Sequence, residues 1–167
     1  MAAILTSPVV GAPGEVHSTL KNPLMTIAKG RDANGFPAEY IYLSGVASTV
    51  AGSWVAYDEA GITLLLDSDV AGSLVSPVAV ATAIVDAATK YGWYQIAGNA
   101  LANVHSAVAD NAKLYAQSTP AGEADDAAVT GNQIHNAFTR AATTTAAVAL
   151  SSVQIDHPFI GVADAII

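Results

Sequence analysis

The sequence predicts an all-β protein, a compact antiparallel barrel or sandwich preceded by an extended N-terminal arm. Three observations carry that expectation. Residues 91–106, YGWYQIAGNALANVHS, alternate Trp93, Gln95 and Ala97 with Tyr94 and Ile96, the period of two that sends neighbouring side chains to opposite faces of a sheet. Short runs of aromatic and β-branched residues recur between Gly, Asn and Asp turn signals. The first 36 residues hold Pro8, Pro13 and Pro23 with Gly11, Gly14, Gly30 and Gly35, too many breakers for a helix or a central strand.

The arm is expected over residues 1–36 and a β-rich body over 37–167. Ile4, Leu5, Val9, Val10, Leu20, Leu24, Met25 and Ile27 in the arm have no core of their own, so docking on another surface is expected. Asn34-Gly35 marks a tight turn, and AEYIYL at 38–43 follows it as a strand. Residues 53–57 and 62–66, flanking Asp58, Glu59 and Gly61, predict a hairpin. The run 74–85 is interrupted by Pro77 and predicts an edge or bulged strand. The hexapeptides VAGSWV (50–55) and VAGSLV (70–75) suggest a turn-into-strand device used twice.

Residues 91–106 are expected to form a central pair of strands bent at Gly98. From 97 to 115 a helix also fits, since Leu101, Val104, Val108 and Tyr115 share a helical face; strand is preferred, with a turn at Asp110-Asn111 and a short strand at 113–117. Residues 118–131 predict an acidic loop of small residues. Two strands are expected at 131–140 and 146–155, with Pro158 closing the sheet and an apolar tail, FIGVADAII, after it.

At 167 residues the chain can hold one core, a β domain of about 130 residues burying roughly two thirds of its unfolded surface. The net charge is -8, but only 12% of residues are charged. Six scattered Lys and Arg form no stripe for a phosphate backbone, so nucleic acid is not an expected partner. No apolar run approaches the roughly 20 residues of a membrane helix, so no membrane is expected either. The opening MAAILTSPVVGAPG lacks the charged start and long apolar core of a secretory signal, and cytosolic synthesis is expected. Without cysteine there is no disulfide, thiolate site or thiol nucleophile. So apolar a chain with so few charges should bury part of its surface against other subunits.

No residue pattern points to catalysis. His17, His105, His135 and His157 lack zinc-site spacing, and structural or surface roles are expected for them. Asp67 with Asp69, and Asp125 with Asp126, lack the further oxygen ligands of a calcium loop and are expected to be turn carboxylates. Gly52-Ser53 and Gly72-Ser73 lack the second glycine of a nucleophile elbow, and there is no phosphate loop or dinucleotide fingerprint. Trp54 and Trp93 fit a core better than a sugar-binding platform, though the sequence allows both. The expectation is a protein that is not an enzyme and needs no cofactor or metal.

Three segments, DANGFPAEYIYLSG (32–45), YGWYQIAGNALANV (91–104) and GNQIHNAFTRAATTTAAVALSSVQIDHPFIG (131–161), resemble small capsid decoration, or cement, proteins of tailed bacteriophages over about the last three quarters of the chain. The resemblance rests on residue order and style rather than on a catalytic motif. It implies a β-tulip-like body that sits as a homotrimer on the outside of an icosahedral head and clamps neighbouring major capsid protein subunits. The implied interface residues are Val9, Val10, Leu20, Leu24 and Ile27 in the arm, with Phe159, Ile160, Val162, Ile166 and Ile167 in the tail as a second candidate. The alternative is a head fibre or receptor-binding module whose exposed Tyr or Trp residues contact a host surface glycan.

Overall fold

The computed structural model describes residues 3–5, 9–105, 107–117, 119–144 and 148–161. In chain order the elements are β1 (Ile4–Leu5), β2 (Val16–His17), β3 (Ile27–Arg31), β4 (Pro37–Ser44), β5 (Trp54–Tyr57), β6 (Thr63–Leu65), α1 (Ser68–Ser73), β7 (Ser76–Ala81), β8 (Tyr91–Val104), β9 (Lys113–Ala116), β10 (Ala124–Asp125), β11 (Gln133–Thr139) and β12 (Ala149–Ile160). Eleven strands follow the path β1-β3-β4-β8-β10-β9-β11-β12-β7-β5-β6, and β2 attaches beside β8. Since β8 also pairs with β12 and β7, the path closes on itself twice. The pairing of β10 with β8 is parallel and the rest are antiparallel. The all-β expectation therefore stands, but the architecture is one mixed, self-crossing sheet and not a clean barrel.

β8 organises it. In place of the pair of strands expected over 91–106 there is a single 14-residue strand at 91–104. Its first half pairs with β4, from Ser44↔Tyr91 to Tyr40↔Gln95, and its second half with β12, from Asp156↔Ala97 to Ala149↔Val104. The change of partner falls at Gly98, whose φ of +99° bends the strand without ending it.

Three apolar cores lie on the faces of this sheet, and several strands are buried on both sides. Trp54, Ala56, Val78 and Val80 join Ala100, Ala102, Ile134, Val153 and Ile155 in the largest. Their neighbours Val55, Tyr57, Ala79 and Ala81 enter a second core with Ile41, Leu43, Tyr94 and Ile96. Tyr40, Tyr42 and Trp93 form the third. Burial on both faces explains why WVAY and PVAVA are continuous apolar runs with no alternation.

The N-terminal segment is not an extended arm. Ile27–Arg31 pairs with β4 from Ile27↔Ile41 to Arg31↔Pro37, β1 adds to β3, and Val16 and His17 pair with Gly92 and Tyr91. Asn22 clamps the preceding turn, its Oδ1 accepting from Val10 N and its Nδ2 donating to Val10 O at 3.0 and 2.8 Å. Prolines and glycines punctuate this segment, but the residues between them find strand partners on the same chain.

Both predicted turns are present and share a device not seen in the sequence. In DANGF, Asp32 Oδ1 accepts from the amides of Asn34 and Phe36; in DEAGI, Asp58 Oδ1 accepts from those of Ala60 and Ile62. Gly35 and Gly61 supply the positive φ in each. Replacing the exposed Asp58 by alanine removes both bonds and is expected to cost about 1–2 kcal/mol in denaturant unfolding. An unchanged midpoint would show that the Gly61 turn holds alone.

Four further expectations need correction. β7 is interior, flanked by β12 and β5, because Pro77 is its second residue, paired with Phe159 at the strand's start, and leaves the later ladder intact. VAGSWV leads into β5, but VAGSLV lies mostly in α1, whose N-cap Asp67 accepts from Val70 N at 2.8 Å. The loop 118–131 contains β10, which pairs with β9 and β8. Pro158 lies within β12, after a left-handed His157 (φ +48°) that redirects the strand from β8 to β7.

Candidate functional site

The tail and arm residues separate into core and surface. Ile160 is fully buried in the largest core, so it cannot contact another molecule in this fold. Phe159, next to it, points the other way and is exposed. Val162, Ile166 and Ile167 lie outside the described residues. Val9 and Leu24 pack against the Tyr40, Tyr42 and Trp93 cluster, whereas Val10, Leu20 and Ile27 are exposed. Ile27 lies on the opposite face of β3 from Ala28, which belongs to that cluster.

The surface that the fold assembles around Phe159 comes from three strand ends. Phe159 pairs with Pro77 of β7 on one side and with His135 of β11 on the other, its ring stacked on the imidazole at 4.7 Å between centroids. Val75, just before β7, is 81% exposed, more than any other large apolar residue described. Between them lies a shallow cavity of about 360 Å³ that also touches Tyr57, His157 and Pro158. Polar groups edge the patch: His157 Nε2 is 3.3 Å from Glu39 Oε2, its Nδ1 is 3.1 Å from Asp156 Oδ1, and Lys29 Nζ is 3.7 Å from Glu39 Oε1. An apolar centre with a charged rim is the usual anatomy of a protein contact surface.

The sequence offered Phe159 but not Val75. The match of VAGSLV to VAGSWV suggests a turn into a strand; the signal for α1 is Asp67 placed to cap Val70, which leaves Leu74 and Val75 projecting after the helix.

The remaining candidates are structural. Trp54 and Trp93 are fully buried, their Nε1 groups donating to Asn103 O and Val10 O, so neither forms a glycan platform. His17 Nδ1 meets the Tyr42 hydroxyl at 2.7 Å, and Tyr42 packs edge-on to Trp93 at 5.1 Å. His105 Nδ1 lies 3.2 Å from Oε2 of the buried Glu123. Asp125 Oδ1 accepts from the amide of Asp126, Asp126 Oδ2 accepts from that of Ala109 in the loop before β9, and Asp69 sits in the first turn of α1. Among the described residues no three His, Asp or Glu side chains are grouped to hold a metal ion, and no helix is long and apolar enough to cross a membrane.

The shifted ionisations accompany burial. Burial pushes the phenols of Tyr42, Tyr57 and Tyr94 up, and takes Tyr40 to about 12 with help from the Asp32 charge. Asp86 is held low by its hydrogen bond from Lys90 at 2.6 Å. These are features of a packed interior and a solvated surface pair, not of an acid–base couple in a cleft. Comparison with protein-family models, with curated proteins and with solved structures finds no match to the chain.

Proposed function

We propose that this is a structural virion protein that binds the outside of an icosahedral tailed-phage head as a homotrimer and clamps neighbouring major capsid protein subunits. It is made in the host cytoplasm and ends on the outer surface of the capsid. The observation that carries this reading is the Val75, Pro77 and Phe159 patch, a rimmed apolar surface on strands that are locked from both sides. The resemblance of residues 32–45, 91–104 and 131–161 to decoration proteins supplies the partner. A clamp gains affinity from buried apolar area, and repetition around a trimer and over a shell makes a weak single contact firm. Val10, Leu20 and Ile27 offer further exposed apolar side chains.

Deleting the first 27 residues would be a poor test, because it removes β1, β2 and the start of β3 along with any contact. Surface substitutions are cleaner. Purified protein added to heads that lack it is expected to give threefold density on the outer shell by cryo-electron microscopy. Val75→Asp with Phe159→Ser is expected to lower occupancy at least about tenfold, since each lost apolar contact is worth roughly 1–3 kcal/mol. Absence of shell density with the unaltered protein would overturn the reading. Equal occupancy by the double variant would move the contact elsewhere on the surface.

A further inference from the structure

A second cavity, of about 250 Å³, lies apart from the Phe159 patch and has a different chemistry. Its walls come from three turns distant in sequence, at residues 13–14, 33–34 and 51–52, and its floor from β7, β8 and β12. Every described residue lining it is uncharged, in a chain whose net charge is -8.

The Tyr40 and Thr82 hydroxyls in its lining donate to Arg31 O and Trp93 O, while its side-chain amides keep unused bonding capacity. Gln95 is only 5% exposed, and its Nε2 donates to Ala97 O at 3.1 Å, leaving Oε1 without a partner among the described residues. Asn99 Oδ1 accepts from Ser152 Oγ at 2.6 Å, leaving its two Nδ2 hydrogens unused, and the exposed Asn34 offers its side-chain carboxamide, its backbone N–H being held by Asp32 Oδ1. Leu101 and Leu150 are diagonal neighbours across the β8–β12 ladder, both half exposed and both lining the cavity. The site therefore presents an open acceptor on a mostly buried residue, several donors and an apolar wall.

We propose that this cavity binds a neutral hexopyranose, as a free sugar or as the terminal residue of a polysaccharide. A pyranose ring has an apolar C–H face for the two leucines and an edge of hydroxyls that both donate and accept, matching the amides of Gln95, Asn99 and Asn34. An ionised ligand would lose hydration with no opposite charge to meet it. The volume lies just below the roughly 300 Å³ at which drug-sized pockets begin, and turns wall it, so it suits a single ring better than an extended peptide. This site is independent of capsid binding and uses none of the residues assigned to it.

The test is a heteronuclear NMR titration of the ¹⁵N-labelled protein with the methyl glycosides of glucose, galactose and mannose, with glucuronate as the charged control and N-acetyl-trialanine amide as the peptide control. Saturable shifts of the Gln95 and Asn99 side-chain amides are expected with at least one neutral glycoside and not with glucuronate. Gln95→Met, which keeps the volume and loses the amide, is expected to weaken binding about tenfold, as is Leu101→Asp on the exposed wall. Should Gln95→Met fail to fold, the surface variant decides alone. An oligosaccharide ending in the same sugar distinguishes the sources: binding at least as tight as the glycoside indicates a polysaccharide, and binding of the glycoside alone a free sugar. No saturable shift with any neutral glycoside, shifts insensitive to the variants, or a response to the peptide instead, would overturn the proposal.

Discussion

Raising the pH from about 10 to above 12 is expected to unfold the protein cooperatively. Tyr40 has no exposed surface, and burial first, with the Asp32 carboxylate second, raises its pKa from 10.0 to about 12. The folded state thus keeps a proton that the unfolded chain releases near 10. The stability from the neutral phenol is present in full below pH 10 and is lost as pH rises through about 12, an amount of roughly 3 kcal/mol for this group. Tyr57 and Tyr94 are buried in the second core and shifted the same way, and Tyr42 in the third adds to them. The phenolate absorbance and the far-ultraviolet circular dichroism should therefore change together. Tyr40→Phe is expected to move the alkaline midpoint upward, and Asp32→Asn to lower the Tyr40 pKa towards the ordinary value by removing the neighbouring charge. Tyrosines that all titrate near 10 while the fold persists would contradict the packing described for β4 and β8.

Gly98→Ala is expected to be among the most destabilising single-methyl changes in the chain, at about 2–5 kcal/mol. A Cβ at this position would lie 2.7 Å from Pro37 O and 3.1 Å from Ala38 Cα, and φ is +99°. Backbone strain accounts for about 1–3 kcal/mol and overpacking against β4 for a similar amount. Gly131→Ala is the control, because φ there is +86° with nothing within 4 Å of the added methyl, so only strain remains. Urea unfolding of the two variants separates these effects: the midpoint of Gly98→Ala should fall clearly further, with the slope unchanged. Equal losses would mean that the close crossing of β4 over β8 carries no energy of its own.

The signals that the sequence expressed correctly are those with short range. The turns at Asn34-Gly35 and Asp58–Gly61, the turn at Asn111 with its positive φ, and the strands at 113–116 and 133–139 each depend on a few adjacent residues. Trp54 and Trp93 in the core follow from their size. The candidate surface was half legible: Phe159 stood out as an apolar residue near the end of the chain, but its neighbour Val75 is 84 positions away and meets it only because β12 pairs with β7.

Alternation and turn chemistry are properties of neighbouring residues, so the β character and the local turns can be read from the chain alone. Tertiary structure alone decided that residues 91–104 are one strand with two successive partners, and that the N-terminal segment folds back as β1, β2 and β3. It also put Ile160 inside and Phe159 outside, through the register that β11 and β7 impose on β12. VAGSWV and VAGSLV show the reason most directly. Four of the first five residues in common, Val-Ala-Gly-Ser, form a turn where Trp54 is drawn into the core and a helix where Asp67 caps Val70, so the surroundings choose between two conformations that the segment itself permits.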